Sequence, residues 1–280
     1  MHLQKLERLS SILNELGSVL VAFSSGTDSA LLLKVAHETL GENAMAATIS
    51  SAALPESELK EAIEFCKRLG VRHEIVKVDI EEIAEFTENK PDRCYHCKKY
   101  LFSKLLALKE KLGLCAVIEG SNIDDAADFR PGLKAISELK IKSPLREAGL
   151  SKKEIREISR KLQLPTWNKS ASACLASRIP YTQKITKESL KKIEDGERFL
   201  KNLITGLSQV RVRIHGMAAR IEVLPSMIAE VAAHAEEISQ HFKSLGFAYA
   251  AVDLCGYRTG SLNEELSDEE IKSARHESNN

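Results

Sequence analysis

The sequence has no long hydrophobic run, few aromatic residues and no excess of either charge. No stretch approaches the ~18 consecutive apolar residues of a membrane-spanning helix, and the first residues, MHLQKLERLSSIL, are amphipathic, unlike a secretory signal peptide. Its 40 basic side chains balance 40 acidic ones, so a nucleic-acid site would have to be a local basic patch. We therefore expect a soluble, cytoplasmic protein with no membrane partner, for which nucleic acid is not the expected ligand.

The six cysteines have no expected role in disulfides, because disulfides are rare in the cytoplasm. They are expected as free thiols or metal ligands. Cys66 falls on the apolar stripe of a predicted helix and Cys115 falls within a predicted strand, so both are predicted to be core thiols. Cys94, Cys97 and Cys174 are the candidate ligands.

Short apolar runs alternate with helical patterns through the first part of the chain. This alternation predicts βαβ units, and hence an α/β fold with a parallel sheet and helices on both faces. The length of 280 residues favours a large domain over residues 1–166 and a small α+β C-terminal domain over residues 167–280. The predicted strands of the sheet are Val19–Phe23, Ala44–Ile49, His73–Val78 and Cys115–Glu119.

The first predicted strand leads into the loop Ser-Ser-Gly-Thr-Asp-Ser and then into an apolar helix. Such a turn leaves the first helical N–H groups unpaired, and these donors bind phosphate. The loop lacks the lysine of a Walker A motif, and its order resembles the SGGxDS loop of the N-type ATP pyrophosphatases, which split ATP into AMP and pyrophosphate. A polar strand–helix corner without a ligand is the alternative. The predicted ATP-binding residues of this loop are Ser24, Gly26, Thr27, Asp28 and Ser29.

One position departs from that pattern, because Ser25 stands where the first glycine of the loop is usual. If the backbone needs a positive φ there, serine is strained by roughly 1 kcal/mol or more. ATP affinity is then expected to be weaker than in a loop with glycine.

Polar residues also follow the second and fourth predicted strands, where a parallel sheet binds its ligands. Ser50 and Gly120 are predicted at this edge. Asp124 and Asp125 are predicted beside the triphosphate, because carboxylate oxygens suit Mg²⁺ held between protein and ATP. A helix N-cap followed by acidic first-turn residues is the alternative, and both roles are compatible.

Two cysteines open a predicted helix in RCYHCKK, and a third lies in the loop ACLASRIPY. Cys94 and Cys97 are spaced i, i+3 on one helix face, and Cys174 could complete a set of three thiolates. A structural zinc site normally has four ligands, whereas a 4Fe–4S cluster held by three cysteines leaves one iron open for an external ligand such as sulfide. A CxxC redox pair and three unrelated thiols are the alternatives.

The C-terminal part is predicted to contain a hairpin of strands at 210–214 and 219–223, a helix over 225–245 and a strand over 247–254, with antiparallel pairing. In the strand VRVRI, alternation places Arg211 and Arg213 on one face. Two guanidinium groups there match a phosphate or carboxylate, and a solvated strand face is the alternative.

Other polar residues are assigned around this clamp. Glu197 and Asp253 could bind a metal ion such as Mg²⁺ or orient the arginines. Arg130 in DFRPG is interpreted as structural, fixing the loop after Asp125. The candidate residues for the phosphate and carboxylates of a substrate are Arg178, Arg211, Arg213 and Arg258.

These stretches together resemble the LarE family of ATP-dependent sulfur transferases, which serve nickel-pincer cofactor synthesis for lactate racemase. The resemblance implies that ATP adenylates a carboxylate of pyridinium-3,5-biscarboxylic acid mononucleotide and that sulfur then replaces AMP, giving a thiocarboxylate. It also implies a homo-oligomer such as a hexamer. The stretches are FSSGTDSALLLK, DRCYHCKKYLF, GSNIDDAADFRPGLKA, WNKSASACLASRIPY, VRVRIHGMAARIE and DLCGYRTGSLN.

The family has two branches that differ in the source of sulfur. One sacrifices the sulfur of a single cysteine, whose position matches Cys174, and the other holds an iron–sulfur cluster with three cysteines. Because Cys94 and Cys97 are present, the chain resembles the second branch. This implies that sulfide bound to a 4Fe–4S cluster, supplied by a sulfur donor, replaces AMP.

Three other functions share part of the pattern. A tRNA thiolase combines this ATP loop with a CxxC pair and a third cysteine, but it would need a basic face or an RNA-binding domain. An ammonia-dependent amide synthetase, as in NAD or GMP synthesis, shares the loop and has no use for three cysteines. An iron–sulfur or zinc carrier with an inactive ATP loop is the non-enzyme alternative, suggested by Ser25.

Overall fold

The computed structural model describes residues 2–127, 132–170, 173–258 and 260–265, and Arg130 lies outside them. The described chain divides into two compact units. The first holds residues 2–83 and 94–170, and the second holds residues 84–93 and the described residues from 173 onward. The predicted domain boundary between residues 166 and 167 stays a prediction.

The first unit is built around a parallel sheet whose strands follow the order β3-β2-β1-β4. Each pairing is parallel, with Val19 of β1 opposite Ala44 of β2 and Ala116 of β4. The predicted α/β fold is confirmed, and the strand ends differ from the predicted ones by a single residue. The strands are β1 (Val19–Ala22), β2 (Ala44–Ser50), β3 (His73–Lys77) and β4 (Ala116–Ile118).

Helices pack on both faces of this sheet, because successive strand residues point to opposite sides. Val19 and Val21 are fully buried in one apolar cluster with residues of the helices before and after β1. Leu20, between them, belongs to a second cluster together with Phe102 and Leu105. A strand buried on both faces is expected to be apolar throughout, as VLVA is.

Helices connect the strands in both units. A capping box of Ser151 and Glu154 opens helix 152–161. The helix predicted over 225–245 is two helices, because His234 has φ −99° and ψ 24° and interrupts the regular turn. The helices are α1 (His2–Leu16), α2 (Thr27–Leu40), α3 (Glu56–Leu69), α4 (Ala84–Thr87), α5 (Arg93–Lys111), α6 (Gly132–Glu138), α7 (Pro144–Glu147), α8 (Lys152–Lys161), α9 (Lys187–Leu203), α10 (Ile228–Ala233) and α11 (Ala235–Ser244).

The second unit contains a smaller sheet of β5 (Val210–His215), β6 (Ala218–Val223) and β7 (Tyr249–Val252). The predicted hairpin is confirmed, since β5 and β6 are antiparallel. The prediction of antiparallel pairing throughout is wrong for the third strand, because β7 runs parallel to β6. The chain between these two strands crosses back through α10 and α11 before it rejoins the sheet, and a parallel pair requires such a connection.

The two cysteines that were predicted to lie in the core differ in their burial. Cys66 is buried, and burial raises the pKa of its thiol to about 12, so the prediction is confirmed. The prediction for Cys115 is wrong, because this residue is exposed. β4 begins one residue later, and the Cys115 N–H donates to Ser18 at the outer end of the strand. Among the described residues, no helix has the length and apolar character needed to cross a membrane.

Candidate nucleotide site and cysteine segments

The loop between β1 and α2 presents a helix N-terminus at the carboxyl edge of the sheet. Gly26 is the N-cap of α2 in extended conformation, and its position provides no side-chain cap for the first turn. The first N–H groups of α2 therefore have no intrahelical partner. The hydroxyls of Ser24 and Ser29 lie 3.2 Å apart beside this turn. Backbone donors and hydroxyls at a helix N-terminus form a site suited to phosphate.

Ser25 adopts the left-handed conformation that usually favours glycine, with φ of +55°. The conditional prediction of a positive φ at this position is confirmed. The serine is buried, and its hydroxyl donates to Glu58 Oε2 over 2.9 Å. Lys169 Nζ donates to the same hydroxyl over 3.1 Å and lies 2.6 Å from Glu58 Oε2. The side chain of Ser25 is thus held by an ion pair that a glycine could not contact.

Thr27 and Gly120, which follows β4, support the first turn of α2 through local contacts. The hydroxyl of Thr27 is buried and donates to the Thr166 carbonyl over 2.8 Å, so this residue offers a phosphate its backbone N–H. Gly120 lies against the first turn of α2, where a Cβ would be 3.0 Å from Ser29 N. Glycine is needed there because the two backbones approach closely.

Asp28 is contacted by one residue of the acidic loop after β4 and by one residue at the start of α8. Asn122 Nδ2 donates to Asp28 Oδ1 over 3.3 Å, and Lys152 Nζ forms an ion pair with Asp28 Oδ2. Asp124 Oδ2 accepts the Lys152 N–H over 2.8 Å, and Asp125 Oδ2 accepts the Asn122 N–H over 2.9 Å. The two carboxylates therefore shape the loop, in agreement with the capping interpretation.

The predicted nucleotide residues of the first unit come together because β1 lies between β2 and β4. The loop at residues 24–29, Ser50 at the end of β2 and the loop from Gly120 follow three adjacent parallel strands. The Ser50 carbonyl accepts from Val78 N over 2.9 Å, and its side chain is half-buried. The carboxyl edge of the sheet is thus the candidate ATP site.

The cysteines of the CxxC pair lie in the first turn of α5. Cys94 is exposed and Cys97 is half-buried, and i, i+3 spacing places them on one side of the helix. Cys174, in the second unit, is also exposed and precedes a short turn of helix at Leu175–Arg178. Within the described part of the chain, no group of three His, Cys, Asp or Glu side chains is placed to hold a metal ion. Accessible thiols are nevertheless the ligand type that iron–sulfur clusters use.

A buried ion pair supports the Cys174 segment inside the second unit. Arg178 is 1% exposed, and its Nε and Nη2 donate to the two oxygens of Glu197 over 2.8 and 3.1 Å. Its Nη1 donates to the carbonyls of Ala173 and Cys174 over 2.6 and 2.9 Å. Glu197 Oε1 also accepts the Val212 N–H over 3.1 Å. The pair fixes the backbone of Cys174, and these contacts occupy both oxygens of Glu197.

Arg211 and Arg213 share a face of β5, as predicted, but that face is not solvated. Arg213 is buried and donates to Glu222 Oε1 over 2.6 Å, to the Ser177 carbonyl over 2.7 Å and to Ser261 Oγ over 2.7 Å. The guanidinium of Arg211 is also buried and lies 5.5 Å from the ring centroid of Tyr257. Burial and then the charge of Arg178 lower the pKa of Arg211. A buried guanidinium of this kind favours an anionic ligand.

Arg258 lies at the surface of the second unit. Its Nε and Nη2 donate to the carboxylate of Glu264 over 3.1 and 3.0 Å, and Asp253 Oδ1 lies 3.5 Å from Nη1. The hydrogen bond to Glu264 raises the pKa of Arg258. Asp253 is therefore close to one of the arginines that it was predicted to orient.

Sequence reasoning missed the residues that hold the candidate groups in place. Lys152 belongs to the SKKEIR segment, where its position after a capping serine gave no sign of a contact with Asp28. Lys169 stands in the boundary loop without a local pattern. Glu222 could have been found, because register pairs it with Arg211 across the hairpin.

Comparisons with known proteins cover most of the chain. The family model for NAD synthase matches residues 6–103, which include the candidate ATP loop. The chain is 42% identical over 265 residues to an uncharacterized protein of Synechocystis sp., covering 94% of this chain and 98% of the relative.

Two further relatives align over almost the same length. The chain is 35% identical over 260 residues to pyridinium-3,5-bisthiocarboxylic acid mononucleotide synthase of Lactiplantibacillus plantarum, covering 92% of this chain and 94% of that protein. It is 34% identical over 260 residues to an uncharacterized protein of Methanocaldococcus jannaschii, covering 92% of this chain and 98% of the relative. The alignments therefore include both units.

Proposed function

The chain belongs to the LarE family of ATP-dependent sulfur transferases, and on that basis we propose that it sulfurates a carboxylate of pyridinium-3,5-biscarboxylic acid mononucleotide for nickel-pincer cofactor synthesis. The Lactiplantibacillus relative is named for a bisthiocarboxylic acid mononucleotide. The proposed reaction starts when the substrate carboxylate attacks the α-phosphorus of ATP and pyrophosphate leaves. A sulfur nucleophile then attacks the carbonyl carbon of the acyl-adenylate, AMP leaves, and a thiocarboxylate forms.

The observation that carries the proposal is the N-terminus of α2 at the carboxyl edge of the parallel sheet. The first N–H groups of α2 and the hydroxyls of Ser24 and Ser29 lie together in the loop at residues 24–29. We assign them to the β- and γ-phosphates, because fixed donors stabilise the negative charge of departing pyrophosphate. Gly26 and Thr27 would contribute backbone at this position.

Asp28 and the acids after β4 would complete the nucleotide site with Mg²⁺. Asp124 and Asp125 accept backbone hydrogen bonds in this loop, and carboxylates beside phosphates are the donor set that Mg²⁺ prefers. When bound, the ion would neutralise phosphate charge during adenylation. Glu197 does not fit this role, because Arg178 and Val212 N–H occupy its oxygens. We assign it to the orientation of Arg178.

The arginines of the second unit would bind the acidic substrate. Arg211 is the favoured contact, because its guanidinium is buried beside Tyr257 and burial is the main cause that lowers its pKa. Arg213 and Arg178 already make buried ion pairs, and we assign to them the rigidity of the surrounding backbone. Arg258, whose partners are at the surface, could exchange Glu264 for a substrate carboxylate.

Cys94, Cys97 and Cys174 are proposed as ligands of a 4Fe–4S cluster. Their exposed or half-buried thiols are accessible to iron, and Arg178 fixes the Cys174 backbone. When bound, a cluster ligated by these cysteines would supply sulfide-level sulfur for the second step.

The proposal is tested under anaerobic conditions with the full chain, ATP, Mg²⁺, sulfide and the pyridinium dicarboxylate mononucleotide. We expect AMP and pyrophosphate to form together, and mass spectrometry to show one oxygen of the substrate replaced by sulfur. Asp28→Asn should lower the rate by about a hundredfold or more, because it removes a carboxylate proposed to hold Mg²⁺ beside the phosphates. Lys153→Gln, on the exposed side of α8, is the matched control.

Other outcomes would identify a different function. AMP formation in the absence of the pyridinium substrate, sulfur transfer to tRNA, or turnover that requires ammonia would each overturn the proposal. Iron and acid-labile sulfide are counted separately in the reconstituted protein, in Cys174→Ala and in the control Cys255→Ala. Iron near zero in the unaltered protein, or unchanged iron in Cys174→Ala, would refute the cluster assignment alone.

A further inference from the structure

We propose that Lys152 is a phosphate-binding residue that releases Asp28 when Mg²⁺–ATP binds. This inference rests on the proposed function, since it takes the loop at residues 24–29 as the ATP site. It adds a residue more than 120 positions away in the chain, in a segment to which the proposed reaction assigns no role. On binding, the ion pair between Lys152 and Asp28 would be exchanged for a contact of Lys152 with phosphate and a contact of Asp28 with Mg²⁺.

The ion pair lies at the point where phosphate is expected. Asp28 is in the first turn of α2, and its two carboxylate oxygens accept from Asn122 and from Lys152 Nζ. A carboxylate in this position is favoured by the helix dipole, but it repels an incoming triphosphate. The ammonium group of Lys152 neutralises that charge. A triphosphate would attract the same ammonium group more strongly, because it carries more negative charge.

The backbone of Lys152 is fixed while its side chain has room to move. Its N–H donates to Asp124 Oδ2 over 2.8 Å, which ties the start of α8 to the acidic loop. The capping box of Ser151 and Glu154 holds the same turn, and hydrogen bonds from Lys5 and the Ser151 backbone lower the pKa of Glu154 to about 2. The Lys152 side chain is 36% exposed and that of Asp28 is 21% exposed, so solvent and ligand reach both. A flexible lysine on a rigid turn can change partners without refolding the loop.

The other lysines near the loop do not combine these properties. Lys153 follows in the same helical turn, but its side chain is exposed. Lys169 is tied to Glu58 and Glu61 over 2.6 Å each and to the Ser25 carbonyl over 3.3 Å. Its three partners hold it on the flank of the loop, where it supports Ser25. Of these three lysines, Lys152 is the one that pairs with Asp28, which is a predicted nucleotide residue.

If Lys152 binds phosphate, its replacement should weaken binding of ATP, which has β- and γ-phosphates, more than binding of AMP. In Lys152→Gln, the affinity for ATP in the presence of Mg²⁺ should fall about ten- to a hundredfold, as expected for loss of a charged hydrogen bond. The affinity for AMP, which lacks those phosphates, should change less than about twofold. Lys152→Arg should restore most of the ATP affinity, and Lys153→Gln should match the unaltered protein. Binding is measured by titration calorimetry on the full chain.

A second measurement needs no substitution at Lys152. Lysines of the unaltered protein are acetylated with a limiting amine reagent, and the extent at each site is read by mass spectrometry. Mg²⁺–ATP should protect Lys152 from the reagent more than AMP does, while labelling of Lys153 stays unchanged. The acetylation experiment still tests the phosphate role of Lys152 if the Lys152→Gln variant does not fold.

The outcomes separate this inference from the proposed function. If the unaltered protein binds no ATP, the ATP site itself is refuted. If the unaltered protein binds ATP and folded Lys152→Gln binds it equally well, the phosphate role of Lys152 is overturned. Equal losses of ATP and AMP affinity, or equal protection by both nucleotides, would show a structural ion pair and would also overturn the proposal.

Discussion

Replacement of Ser25 tests whether its side chain compensates for its unusual backbone conformation. The residue has φ of +55° and is buried. Its hydroxyl donates to Glu58 and accepts from Lys169. Ser25→Ala removes both hydrogen bonds and keeps the left-handed strain, whereas Ser25→Gly removes the same bonds and relieves the strain.

The expected changes in the free energy of unfolding follow from two contributions, the lost hydrogen bonds and the backbone strain. A hydrogen bond to a charged group contributes about 1.5–3 kcal/mol when the partner is left without compensation. Here Glu58 and Lys169 keep each other at 2.6 Å, so the lower end applies, and we expect Ser25→Ala to reduce the free energy of unfolding by about 2 kcal/mol. Relief of the left-handed conformation returns about 1 kcal/mol, so we expect a loss of about 1 kcal/mol for Ser25→Gly.

The assay is urea unfolding of both variants, followed by a probe of the first unit such as protection of the buried Cys66 thiol. Ser24→Ala is the control for loss of a loop hydroxyl without positive φ. A glycine variant more stable than the unaltered protein would show that strain outweighs the hydroxyl contacts. Equal stability of the alanine and glycine variants would refute the strain argument.

Four further predictions concern packing, ion pairs and ionisation. Gly120→Ala should destabilise the first unit by about 1–3 kcal/mol and weaken ATP binding, because its Cβ would meet Ser29 N at 3.0 Å; urea unfolding and calorimetry measure both effects. Arg178→Met should cost about 3–5 kcal/mol in urea unfolding by leaving Glu197 buried and unpaired, and adding Glu197→Leu should recover much of that loss. The folded-state pKa of Glu154 is lowered from 4.5 to about 2, so its contribution to stability is present above pH 4.5 and lost as the pH falls toward 2; in Glu154→Gln, acid titration of stability should be flatter over that interval. Cys66, with its pKa raised to about 12, should react with iodoacetamide at pH 8 far more slowly than exposed Cys255, and equal labelling rates by mass spectrometry would contradict its burial.

Local pattern was sufficient to predict the elements of the nucleotide site. Short apolar strands, each followed by polar residues, predicted the parallel sheet and its ligand edge, because strand periodicity and chain direction are local properties. The same reasoning identified the loop before α2 and the positive φ that Ser25 would need. It also identified the CxxC turn, since i, i+3 spacing on a helix follows from the sequence alone.

The sequence by itself therefore determined the strand–helix order, the candidate phosphate loop and the candidate thiols, because each depends on neighbours within a few residues. Only the tertiary structure decided the partners of those residues. It paired Asp28 with Lys152, turned the Thr27 hydroxyl toward Thr166, and buried Arg213 against Glu222. It also made β7 parallel to β6 and left Cys115 exposed. Burial and ion pairing join side chains that are far apart in the chain, and their energies depend on distances and solvent exposure that no local pattern contains.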